Sequence, residues 1–102
     1  MGAGIIVDNK LVAMDTKPGV PIPDNERLEK MFFQTSLIAG IMIGNSDFFG
    51  PARYFTLHFG NADLFFFFLA DYGIKGILAV QVAKEHDHEQ IVSGVQGFLA
   101  GL

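Results

Sequence analysis

The chain has no cysteine, which removes disulfides, thiolate nucleophiles and sulfur-ligated metals together and fits a reducing cytoplasm. It also lacks any basic cluster. Seven Lys and Arg against eleven Asp and Glu leave a net charge of −4, and the cations are scattered, so nothing follows a phosphate backbone and nucleic acid is excluded as an expected partner. Long apolar runs are missing too. A membrane span needs roughly 17–25 apolar residues, and the longest uncharged stretch, residues 31–46, is interrupted by Gln34, Thr35 and Ser36 and ends in Asn45-Ser46. The N-terminus has no basic region of the kind a signal peptide carries and meets Asp8 after three apolar residues; Ile6 stands where a myristoylation signal wants Ser or Thr. No repeat, low-complexity tail or shift in composition divides the chain, so residues 1–102 read as a single domain.

What the chain does have is an apolar surplus. Half of its 102 residues are hydrophobic, 11 of them Phe, and the mean hydropathy is +0.35. A domain this small buries a limited share of its surface, so the surplus favours an obligate oligomer. The surplus is concentrated in a helix expected between Asp24 and about Asn45. A helix lying on a sheet needs one apolar stripe, and this one has two. Leu28, Met31, Thr35, Ile38 and Met42 line one side, while Phe33, Ser36, Leu37, Gly40 and Gly44 line the other. The small residues of the second stripe would let another backbone approach closely. Its competing use is tight packing of the helix on its own sheet.

Around this helix the pattern predicts an α+β fold. Residues 5–7 and 10–14 read as short strands joined by Asp8 and Asn9, a link suited to a type I′ turn. Three prolines make residues 15–23 a stiff extended connection. Asp24 is the expected N-cap of the long helix, with Glu26 in its first turn, and Gly44-Asn45 its stop; residues 45–51 read as loop. Residues 52–59 alternate, with Arg53, Phe55, Leu57 and Phe59 on one face and Tyr54, Thr56 and His58 on the other, as in an edge or semi-exposed strand. After a turn at Gly60-Asn61-Ala62, residues 63–70 hold a run apolar on both faces, a central strand covered on both sides. Residues 77–83 form the last strand. Asp87 then caps a final helix, with Gln90 at capping-box spacing. Its expected core face is Ile91, Val95, Phe98 and Leu102, and close packing on the Phe-rich sheet is the expected reason for Gly94, Gly97 and Gly101. The result is a five-stranded sheet in ββαβββα order, the long helix on one face and the C-terminal helix on the other.

This order, with the stretches Gly4-Ile-Ile-Val-Asp8 and Lys10-Leu-Val-Ala-Met14, the small and apolar helix 28–44, the meander 53–69 around Gly60-Asn61 and the closing strand and helix 77–102, resembles the Roadblock/dynein light chain family. The resemblance implies a Roadblock/profilin-like fold and a homodimer or family heterodimer. In that dimer the long helices pair and the third strands meet in one continuous sheet. Family members are non-enzymatic platforms that bind and regulate small Ras-like GTPases, or light chains of dynein, and the resemblance implies the GTPase-regulating role, in the cytoplasm. Phe33, Ser36, Leu37, Gly40 and Gly44 would then carry helix pairing, Phe55 and Leu57 would sit on the junction strand, and Arg53, Tyr54 and His58 would face a partner. No cofactor or metal is implied. Many members place a helix before the first strand, and here Met1-Gly-Ala alone precedes it, so the expectation is a short form. The rival reading is a small-molecule sensor on a PAS- or profilin-like sheet, with a pocket under sparse helical cover.

Catalytic readings find little to stand on. His86 and His88, two apart, point roughly 200° away from each other on a helix, and no third ligand is evident nearby; the segment Glu85-His-Asp-His-Glu89 reads more simply as a solvated helix start. His58 has no acid or hydroxyl partner placed by the sequence for a dyad. Arg53 invites comparison with an arginine finger, against its plainer use as a charge guarding a strand edge. Gly2-Ala-Gly4 precedes its strand, where a dinucleotide loop would follow it.

Overall fold

The computed structural model describes residues 2–8, 10–16, 24–83 and 86–101. The elements run β1 (Gly2–Val7), β2 (Lys10–Thr16), α1 (Asn25–Gly44), α2 (Ser46–Phe49), β3 (Tyr54–His58), β4 (Ala62–Phe68), a 3-10 turn (Leu69–Tyr72), β5 (Ile77–Ala83) and α3 (His88–Ala100). The strands form one sheet in the order β2-β1-β5-β4-β3, every neighbouring pair antiparallel. This is the expected α+β arrangement, and β3 is the edge strand that its half-polar alternation predicts. The β1–β2 turn carries Asp8 at φ 51°, the left-handed conformation a type I′ turn needs at its first position. Asn9, the Pro-rich connection 17–23, Glu85 and Leu102 lie outside the described residues.

Strand alternation sorts the Phe-rich segment into two cores. Phe65 and Phe67 of β4 pack with Val80 and Val82 of β5 and with Val92 and Leu99 of α3. Phe66 packs on the opposite face with Ile6 of β1 and Phe32 of α1, flanked by Leu28, Phe55 and Leu57. The two long helices therefore cover opposite faces of the sheet. Gly76 fixes the entry to β5: it sits at φ +124°, and a Cβ there would lie 2.8 Å from the Ile6 carbonyl oxygen.

Three local expectations are corrected. Residues 45–51 contain the short helix α2, because Asn45 Nδ2 donates to the Ile41 carbonyl at 2.7 Å and the Gly50 amide donates to the Ser46 carbonyl, closing a further turn. The buried positions of α3 are Val92 and Leu99, with Ile91 and Val95 partly buried, while Phe98 is exposed. The α3 glycines are not explained by close packing, since a Cβ at Gly94 or Gly97 would meet nothing within 4 Å.

Candidate functional site

Two places on the molecule hold more than packing requires. The first is the outer face of α1. Asp24 caps the helix by accepting from the Arg27 amide at 2.9 Å, and the face turned to the sheet buries Phe32, Thr35 and Ala39, with Leu28, Met31, Ile38 and Met42 half-buried. Thr35 tolerates burial because its hydroxyl donates to the Met31 carbonyl at 2.8 Å. The sequence stripe names five of these positions and misses Phe32 and Ala39.

On the opposite side Phe33, Leu37 and Ile41 are 58%, 56% and 67% exposed. Gly40 and Gly44 beside them open onto free space, with nothing within 4 Å of a Cβ built on either. Ser36 is half-buried at the margin of this face and donates to the Phe33 carbonyl at 2.7 Å. Ile41 is absent from the expected set although it continues the Phe33, Leu37 spacing by one further turn. Phe48 and Phe49 of α2 extend the apolar surface as an edge-to-face pair 4.8 Å apart, both almost fully exposed.

Of the residues expected on the junction strand, Phe55 stacks on Phe66 at 4.8 Å and Leu57 lies half-buried beside the same core, so both turn to the face that α1 covers. Arg53 precedes β3 and is exposed, and its carbonyl accepts from the Phe68 amide at 3.0 Å. Tyr54 is stacked on Phe67 at 5.5 Å, on the α3 face.

The second place is a histidine corner on that α3 face. Asp63, the second residue of β4, stands opposite His58 in the β3–β4 register. His58 Nδ1 lies 3.0 Å from Asp63 Oδ1, and His86 Nε2 lies 2.7 Å from Asp63 Oδ2. The acid is only 7% exposed, whereas His58 is 62% exposed and His86 13%. A buried carboxylate needs donors, and two imidazoles supply them. His88, the first residue of α3, lies over Phe65 at 5.1 Å and beside His58 at 6.4 Å between ring centroids. Two histidines thus meet at one acid, and the third, His88, stands beside His58. Sequence reading misses Asp63, although the four-residue link between His58 and Asp63 makes them cross-strand partners in any tight hairpin. His86 comes from a distant segment, which no local spacing reveals.

Among the described residues a cavity of about 790 Å³ lies between the sheet and the N-terminal half of α1, lined by Gly4 and Ala79 on the sheet and by Leu28 and Phe32 on the helix, with Arg27 also in its lining. Among the described residues no helix is long and apolar enough to cross a membrane.

The sequence matches no protein-family model and no curated protein. The fold does have counterparts among solved structures. Gliding protein MglB from Thermus thermophilus superposes with a TM-score of 0.72 at 10% identity, over 96% of this chain and 71% of that one. MglB in a tetrameric arrangement gives 0.71 at 12% identity, over 99% and 73%. The Roadblock/LC7 domain from Streptomyces avermitilis gives 0.62 at 18% identity, over 98% and 75%. At these identities the likeness is one of fold, and it agrees with the strand order, the helix placement and the edge position of β3: the chain has a Roadblock/LC7-like fold.

Proposed function

We propose that this chain is a non-enzymatic interaction module that pairs with a second copy, or with a chain of the same fold, and in that form binds or regulates a small Ras-like GTPase. One observation carries the reading: the exposed ridge of Phe33, Leu37 and Ile41 on α1, flanked by open Gly40 and Gly44. Burying one such side chain contributes about 1.5–3 kcal/mol, so leaving three in water on adjacent turns is a cost that a partner removes. The glycines let a second helix backbone come close. β3 adds a sheet edge, and Phe55 and Leu57 on it turn to the same side of the sheet as α1. Strand addition there would continue the sheet into a second subunit. The tetrameric arrangement of MglB, which shares the fold, supports self-association. The GTPase partner rests on the family that the sequence resembles, and the Roadblock/LC7-like fold supports it.

Light scattering behind a sizing column tests the pairing. The expected mass is twice the 11.2 kDa of the chain, holding on dilution to low micromolar. Gly40→Leu is the decisive variant, because the added side chain meets nothing inside the protomer and yet fills the approach of a second helix; it is expected to weaken pairing at least tenfold. A wild-type monomer, or a Gly40→Leu protein with unchanged mass, removes the reading. For the partner, co-sedimentation with purified nucleotide-loaded small GTPases should show a stable complex or an altered rate of GTP hydrolysis. The cavity under α1 favours a second reading, a small-molecule sensor. It calls instead for an apo monomer whose melting temperature rises with an apolar ligand.

A further inference from the structure

We propose that His58 and His88 form a chelate for a divalent transition cation of the Zn²⁺, Ni²⁺ or Cu²⁺ type, with Asp63 as the carboxylate that orients His58. The site lies on the α3 face of the sheet, opposite the α1 ridge. A metal-binding histidine commonly donates its other ring N–H to a carboxylate, which fixes the tautomer and makes the free nitrogen more basic. His58 has this arrangement. Its Nδ1 is held by Asp63 Oδ1 at 3.0 Å, which leaves Nε2 as the lone-pair nitrogen, on a side chain 62% exposed. His88 stands beside it with ring centroids 6.4 Å apart and a 36° tilt.

The distances are within reach of one ion. A metal–nitrogen bond of about 2.0–2.1 Å puts each ring centroid roughly 3.2 Å from the metal. Centroids 6.4 Å apart stand at the outer limit of what one ion can bridge, and binding at a tetrahedral angle requires the exposed His58 to turn and swing inward by about 1 Å. Among the described residues no three His, Cys, Asp or Glu side chains surround one point, so water supplies the remaining positions. His86 also gives one ring nitrogen to Asp63, its Nε2 lying 2.7 Å from Oδ2, but its side chain is only 13% exposed and its Nδ1 is sealed from solvent, so His86 holds the carboxylate and the ion binds outside it.

The test is equilibrium dialysis and calorimetric titration of the untagged full chain with Zn²⁺, and separately Ni²⁺, in a non-chelating buffer. One ion per chain is expected. His58→Gln and His88→Gln should each weaken binding by tenfold or more. Asp63→Asn, which removes the orienting charge, should weaken it about tenfold. His86→Gln should retain binding within about threefold. Circular dichroism of each variant before metal addition separates lost binding from lost folding, and His58→Gln, at an exposed position, keeps the test alive if Asp63→Asn unfolds. No saturable binding by the wild type at 100-fold excess metal overturns the proposal. So does a His58→Gln or His88→Gln protein that binds as the wild type does, or a His86→Gln protein that loses the ion.

Discussion

Asp63 shows what one residue can demand of its surroundings. Placed in an otherwise apolar strand, it keeps its burial because two imidazole nitrogens point at its two oxygens. Leaving buried donors unpaired costs about 1–3 kcal/mol each. Asp63→Ala is therefore expected to lower the unfolding free energy by about 2 kcal/mol, His86→Ala by less, and the exposed His58 least of all. Urea unfolding of the three variants checks this ranking; equal losses would mean the carboxylate is not the hub. Gly76 makes the opposite point, since what matters there is the absence of a side chain. Its φ is +124°, and the Ile6 carbonyl oxygen lies 2.8 Å from where a Cβ would stand. Gly76→Ala should lower the melting temperature markedly, by more than any alanine placed at Gly40 or Gly44.

At the scale of elements, caps and glycines decide how α3 behaves. Asp87 accepts from the Gln90 amide at 3.3 Å, so Asp87→Ala should cost about 1 kcal/mol. Gly94 and Gly97 lie inside the helix with open space around them, where Ala is favoured over Gly by about 0.5–1 kcal/mol. Gly97→Ala is accordingly expected to raise the melting temperature by several degrees. A drop instead would show that another molecule packs against that stretch. The caps are readable from the chain because Asp24 and Asp87 act on amides three residues away. The core face of α3 reads one position out: Val92 and Leu99, seven apart, are buried, and Phe98 faces water. Five large apolar residues on so short a helix, Ile91, Val92, Val95, Phe98 and Leu99, allow two overlapping stripes, and packing on Phe65 and Phe67 selects between them.

At the scale of the whole molecule, the distribution of apolar surface is unequal between the two helices. The inner side of α1 is satisfied by the sheet, yet its outer side leaves Phe33, Leu37 and Ile41 in water. If a second copy covers them, stability becomes linked to protein concentration. The melting temperature of the wild type should then rise with concentration across a hundredfold range. The Gly40→Leu protein should melt at one temperature throughout. A wild type whose melting is independent of concentration while it remains a monomer would leave the ridge without this role.

Local chemistry is legible from the chain alone. The order of strands and helices, the edge character of β3, the covered run in β4, both aspartate caps and the two-sided α1 follow from periodicity and from interactions spanning four residues or fewer. The short helix α2 is not legible, because a single turn stabilised by Asn45 and Gly50 leaves no periodic signature. Nor is the meeting of His58, Asp63 and His86: it depends on β4 bringing Asp63 to the sheet corner where the segment leading into α3 returns, 23 residues further on. Periodicity reports which side of an element is apolar, and it carries no information about which distant segment arrives on that side. Only the packed sheet decides that.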